Sequence, residues 1–555
     1  MKKYATYLFL ALIIAIGIAT RFYKLGEAPA GLYVDEAGQG YSAYSILKTG
    51  KDEFEKSFPI VFRSLTDFKT PVYIYLVTPL IPFFGLSAFT VRFPSFLFSI
   101  LTIPVLFFIT QHLSKNVSLA IIGSLLLAIS PWHILFGRTN FECNVALFFY
   151  LLGVLSFYLG LKNPKLFILS AVSFAIAIPS YHSQRIVTPL TLMVLFIRYK
   201  DLIFDKTRKK YIFAGIILGA LILLPTLSVA TTPGFLARAA GLNIFSHIRQ
   251  MPDGFIASYH GILNPVINGS WFLSTREFLS LYFSYFSPRY MFFLGDYGAR
   301  SSFPELSTFF LWQFPFYIYG LFLLFKKKNL GNLKFFIVLM LLISPIPAAV
   351  TRDPYTTIRA LPLVVPQILI VSLGIFEFIN SLKNRTGYLL IAPASVLIIS
   401  YSLAKLYSSV IILNEYHRAK AWDFGWQEVV QKIQTLDQKL PIVVDNARAD
   451  AYPQIAFYLK YDPGKFQSEN FEVKPEEYYT NLNRVKDKHI GNITTRPIFW
   501  KEDLTKEQYL IGDELAISIQ QIEVNHLTLI SEVLYPDRSV AYRIVKTNPL
   551  SGSAK

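Results

Sequence analysis

The chain has 555 residues, of which 53% are hydrophobic, 16% aromatic and only 16% charged, and its mean hydropathy is +0.42. Soluble domains carry about 25% charged residues, so this composition excludes a soluble globular chain and points to an integral membrane protein. The formal charge of +17 sits in short lysine-rich clusters between long apolar runs. That is the positive-inside pattern, and it argues against nucleic acid as a partner. One cysteine, Cys143, excludes a disulfide framework and a thiolate metal cage.

In chain order, MKKYATYLFLALIIAIGIAT reads as a first span, because more spans follow and no clean A-x-A cleavage site appears. Further apolar stretches run over 94–112, 117–136, 144–161, 166–180, 186–197, 211–230, 306–325, 335–350, 361–379 and 388–407. The piece 72–86 is short, follows Pro71 and holds Pro79 and Pro82 within it, so it reads as an interfacial helix and not a crossing. Leaving it out puts every lysine cluster on one side, giving eleven spans, a cytoplasmic N-terminus and an extracytoplasmic C-terminal tail in the cell membrane. The assigned cytoplasmic segments hold 14 Lys and 3 Arg, whereas the outward segments between Leu86 and Ala360 hold ten Arg and no Lys. Arginine offers a planar fork suited to phosphate and partly buried carboxylates. Lipid contact and structural ion pairs are the plainer explanation for most of the ten.

Two long polar stretches face outward, 21–70 and 231–305, and residues 1–408 form the membrane module. From 409 to 555 the pattern changes to alternating amphipathic helices (WDFGWQEVVQKIQ, AYPQIAFYLKYD) and strands (LPIVVDN, TLISEVL, SVAYRIVK). The expected fold is therefore an all-α polytopic membrane protein with a small extracytoplasmic C-terminal α/β domain. No P-loop, Gly-rich nucleotide fingerprint, H-E-x-x-H or G-x-S-x-G occurs.

The charged candidates lie on the outward side. Asp35 and Glu36 follow the first span within GLYVDEAGQGY, where Gly31 and Gly38 permit close approach. A carboxylate at a bilayer surface is costly unless it has a role; the alternative is simple stabilisation of a helix N-terminus. Lys69 precedes Pro71 at head-group depth, to bind a lipid phosphate or merely to snorkel. Arg138 and Glu142 are four residues apart, on one helix face if the span begins there. His182 and Arg185 share an outward turn, and a late short loop adds Arg352, Asp353 and Arg359. Asp35 suits a general base that takes the proton of an attacking hydroxyl. Lys69 and outward arginines, with Arg92, Arg138, Arg185, Arg352 and Arg359 as candidates, suit the departing phosphate. Asp35, Glu36 and Glu142 have the chemistry to hold a divalent ion, but no ligand spacing demands one.

Residues 1–407 resemble the GT-C membrane glycosyltransferases, in the branch of the protein O-mannosyltransferases and the aminoarabinose transferases of lipid A. The resemblance rests on the Asp35-Glu36 pair, the K-x-P element at Lys69 and Pro71, the V-R turn at Val91 and Arg92, and the acid Glu142. It departs at Glu142, where relatives often show Asp. It implies inverting transfer from a polyprenyl-phosphate sugar to a glycan, lipid or protein acceptor outside the cytoplasm, with the first-loop Asp as base and the Lys on the phosphate. The rival readings are a lipid or polysaccharide transporter, which would show charges within spans and two similar halves, and an O-antigen ligase or polymerase type of enzyme.

Overall fold

The computed structural model describes residues 2–65, 67–203, 205–247, 270–351, 353–382, 385–448, 450–483 and 487–549. The chain divides into two compact units, and the division cuts across the sequence. One unit comprises Met1–Tyr23, Ser95–Thr231 and Leu236–Tyr407; the other comprises Lys24–Pro94, Thr232–Phe235 and Ser408–Lys555. One division falls between Tyr407 and Ser408, and the first outward loop shares its unit with the C-terminal region.

The first unit is helical. Among the described residues of the chain, seven helices are long and apolar enough to cross a membrane, or eight if a pair bent by 57° (Val117–Ala128 and Pro131–Gly137) is one span. The count of eleven is reached only by adding shorter or more polar helices such as Leu166–Ser180, Gln184–Ile203 and Phe314–Lys326. The 57° bend has a local cause. Pro131 occupies the first turn of its helix, and Ser130 accepts the His133 N–H, so one helix stops and a new one starts. Helices Phe314–Lys326 and Val364–Ser381 approach to backbone contact, because a Cβ on Gly320 would overlap the Ile370 carbonyl oxygen and one on Gly374 the Phe316 carbonyl oxygen.

The second unit is built on a six-stranded sheet. Its strands are β3 (Ile442–Val444), β4 (Lys488–Ile490), β5 (Ile493–Thr495), β6 (Tyr509–Gly512), β7 (Thr528–Leu534) and β8 (Val540–Lys546), ordered β4-β5-β3-β6-β8-β7. β3 runs parallel to β5 and β6, and the remaining pairs are antiparallel. A short antiparallel hairpin, β1 (Phe62–Ser64) and β2 (Asp67–Lys69), comes from the first loop. Helices Trp426–Ile433 and Tyr452–Leu459 form where the sequence pattern places them, and bury Val429, Val430, Ile433 and Ile455 against β3, β6 and β8. Tyr41, from the first-loop helix Val34–Thr49, is part of the same core. Gly40 is what admits it, since a Cβ there would stand 2.6 Å from the Phe457 ring. At Gly38 a Cβ would make only ordinary contact, 3.9 Å from the Pro453 and Ser64 side chains. Gly31 has φ +91°, and a Cβ on it would overlap the Trp422 carbonyl oxygen. The piece 71–84 is a chain of short helical turns, Pro71–Val77, Thr78–Leu80 and Ile81–Phe84.

Candidate functional site

Helix Val34–Thr49 sets the geometry of the carboxylate pair. Its start is fixed twice. The Tyr33 N–H donates to Glu36 Oε2 at 3.2 Å, and the Val34 N–H donates to Asp423 Oδ2 at 2.8 Å. Both acids therefore sit in the first turn, where the helix dipole favours negative charge. Being consecutive, they point in different directions.

Glu36 turns inward and is buried. Arg92 grips it bidentately, Nε to Oε1 at 3.0 Å and Nη2 to Oε2 at 2.9 Å. The other Arg92 N–H groups donate to the carbonyls of Leu25, Pro29 and Gly31. All five donors of this guanidinium are thus engaged within the protein, which leaves none for the donor phosphate expected of it. Asp35 turns the other way. Its side chain is 25% exposed, and Lys69, at the end of β2, donates to its Oδ2 at 2.8 Å. Lys69 itself is buried, 6% exposed.

The remaining candidates belong to the helical unit. Arg138 and Glu142 do not share a helix face. The helix Pro131–Gly137 ends at Arg138, and the next begins at Cys143, with Glu142 capping it. The turn forms because the Arg138 guanidinium is drawn to the carbonyls of Thr20, Arg21 and Tyr23 (2.8–3.0 Å), the unsatisfied end of helix Lys2–Phe22. This Arg138 contact is a helix cap, and a phosphate would have to compete with three carbonyls. Glu142 is buried, and the Tyr181 hydroxyl feels its charge together with those of Arg238 and Arg359. His182 and Arg185 lie at the start of helix Gln184–Ile203. Arg359 donates to Thr351 Oγ1 and pairs with Asp353, each at 2.9 Å. Arg352 lies outside the described residues. No group of three or more His, Cys, Asp or Glu side chains converges as metal ligands among the described residues.

Residues 68–228 match the family described as dolichyl-phosphate-mannose-protein mannosyltransferase. Across nearly the whole chain the fold is similar to that of ArnT from Cupriavidus metallidurans, solved with undecaprenyl phosphate (11% identity, 97% of each chain covered, TM-score 0.51). It is also similar to the Archaeoglobus fulgidus oligosaccharyltransferase solved with a tethered acceptor peptide (14% identity, 98% of this chain and 74% of that one, TM-score 0.51). No curated protein matches the chain in sequence. The family match covers under a third of the chain, and the likeness to the two solved membrane enzymes is one of fold.

Two buried or capping groups in this structure carry little local signal in the sequence. Asp423, at φ +52°, holds the helix that carries Asp35, and its only trace in sequence is the WDFG turn. Arg21 is fully buried and donates to the carbonyls of Leu127 and Ala128 and to His133 Nδ1. An arginine after a hydrophobic run ordinarily marks the water face, so sequence alone places Arg21 at the edge of the first outward loop.

Proposed function

We propose that this protein is a lipid-phosphate-dependent sugar transferase with Asp35 as general base and Lys69 as the donor-phosphate contact. The observation that carries the reading is the divergence of the two first-turn carboxylates. Glu36 is sealed by Arg92, while Asp35 keeps an exposed face and an ammonium at 2.8 Å. In the reaction the acceptor oxygen bonds to the anomeric carbon from the face opposite the leaving group, which inverts that centre. Asp35 takes the hydroxyl proton, the anomeric C–O bond to phosphate breaks, and polyprenyl phosphate leaves with the electron pair. Lys69 spends one N–H on Asp35, so two others can meet phosphate oxygens as charge develops there. Glu36 and Arg92 are positioning residues on this reading, and Arg138 a helix cap. Arg185, Arg352 and Arg359 are candidate phosphate contacts from the helical unit, and Glu142, His182 and Asp353 are candidates for holding donor or acceptor.

The donor match of ArnT, which binds undecaprenyl phosphate, supports a polyprenyl-phosphate sugar. The acceptor is a hydroxyl of a glycan, lipid or protein on the extracytoplasmic face. Asp35→Asn tests the reading. With a panel of polyprenyl-phosphate sugars, lipid release should fall at least ~10²-fold, the loss expected for a general base, while the protein still folds and unfolds cooperatively. Lys69→Met should weaken donor binding in the same assay. Full turnover in Asp35→Asn would refute the assignment. The orientation, N-terminus inside and C-terminal region outside, is checked by thiol labelling of intact cells. A cysteine introduced at Asp450 should react and one at Lys327 should not.

A further inference from the structure

A cavity of about 740 Å³ lies wholly within the second unit, in the size range of small-ligand sites. One wall is Ala28, Ala30 and Gly31, the segment that leads into the helix carrying Asp35. The opposite wall comes from helix Trp426–Ile433 and its C-cap. Gln427, Gln431 and Gln434 line the cavity, spaced four and three apart so that they share one helix face. The other face of this helix, Trp426, Val429 and Ile433, is buried in the sheet core. The three amides are exposed and make no side-chain hydrogen bond among the described residues. Each therefore offers two donors and an acceptor to whatever enters. Phe89, Phe424 and Tyr458 supply ring surface beside them. The charges balance: Lys24 and Lys460 are matched by Glu27 and Glu415, and Lys24 stands 3.7 Å from Glu27.

This balance selects the ligand. A phosphate or carboxylate would need surplus cations, a metal or amine surplus acids, and a hydrocarbon would leave three amides unpaired at a cost. Alternating hydroxyls and C–H faces meet both linings, because amides pair with hydroxyls and aromatic rings cover the apolar sugar face. We infer that this cavity binds a neutral saccharide, the acceptor glycan of the transfer proposed above; only its assignment as acceptor rests on that reading.

The test uses the full chain in lipid nanodiscs, free of maltoside detergents, with mannotriose, chitotriose and maltotriose as probes. Saturation-transfer NMR should show at least one of them bound. In Gln427→Leu/Gln431→Leu the affinity should drop about fivefold or more, as removal of two hydrogen-bonding amides implies. Both positions are exposed, and an unchanged melting temperature shows that the fold is intact. Asp35→Asn should bind the saccharide as wild type does while losing turnover. The octyl glycosides of the same sugars form a second arm. Binding of these alone assigns a lipid-borne glycan, and binding of both forms assigns recognition of the rings themselves. If no saccharide in either form binds, or if binding survives the double substitution, the cavity is not a glycan site. If the glutamines govern binding but Asp35→Asn turns over fully, the cavity stands and the catalytic reading fails.

Discussion

The two units bury charge in opposite ways. In the helical unit, Arg21 and Arg138 spend their donors on backbone carbonyls where helices end: Arg21 on Leu127 and Ala128, Arg138 on Thr20, Arg21 and Tyr23. In the second unit Arg63 does the same on the Asn481 and Asn483 carbonyls, but most buried charges come as acid–base sets. Arg92 holds Glu36, Lys69 holds Asp35, and a third set gathers Asp52, Glu53, Glu472 and Lys488. Where no water reaches a helix end, an arginine fork satisfies two or three orphan carbonyls at once. Where side chains meet over a sheet, a buried charge is tolerated because a counter-charge balances it. A surplus of outward arginine is therefore no measure of phosphate-binding capacity.

The sharpest way to break this contrast is to remove one member of a buried pair. Glu36→Ala leaves the Arg92 guanidinium without its carboxylate and should cost about 3–5 kcal/mol, seen as a large drop in melting temperature or loss of expression. Asp35→Asn, one residue away, keeps an oxygen that accepts from Lys69 on a partly exposed side chain, so the melting temperature should fall far less. Equal thermal losses in the two variants would erase the distinction between sealed and open carboxylate.

A smaller effect is expected at the helix caps. Arg138→Leu leaves three carbonyls to water, which reaches the part-buried Thr20 and Tyr23 groups, so thermal unfolding should register about 1–3 kcal/mol in all. Arg138→Lys should rescue only part, because an ammonium cannot present the planar fork. Full rescue by lysine would show that charge and not geometry matters there.

The smallest effect is in the Asp52 set. Burial pushes the Asp52 carboxyl up to about 7, although the Tyr478 hydroxyl and the N–H groups of Phe54 and Lys56 hold it back. Burial and the Asp52 charge push Glu53 up to about 8, against the pull of Lys488. A folded-state pKa above the unfolded one means that the folded form binds the proton more tightly. The contribution to stability is therefore full below pH 4 and is lost as pH rises through 7 to 8. Melting temperature should fall across that window, and Asp52→Asn should flatten the slope. An unchanged slope would remove Asp52 from the account.

Much of this was legible in the chain. The helix at WDFGWQEVVQKIQ and the strands at LPIVV, TLISEVL and SVAYRIVK all form where apolar periodicity puts them. The Asp35-Glu36 pair lies on a helix N-terminus, one of the two alternatives its position allowed. The number of crossings was less legible, because Leu166–Ser180 and Phe314–Lys326 are apolar but short, and length is what separates a span from a buried helix. Three long-range facts were invisible: that Tyr41 enters the C-terminal core, that Arg92 reaches Glu36 across 56 residues, and that Asp423 reaches Val34 across 389. Local pattern reports which face of an element is apolar and is silent on what covers it.

The shared core of Tyr41 with Trp426, Ile442 and Ile544 has a consequence in time. The helix carrying Asp35 leaves the ribosome first, yet the residues that bury its tyrosine and cap its start come last. At about 5–20 residues per second, that helix waits tens of seconds for its partners. This core is thus assembled only after β8 has been made, so a chain broken off before β8 carries the candidate base and phosphate contact without the core that holds their helix.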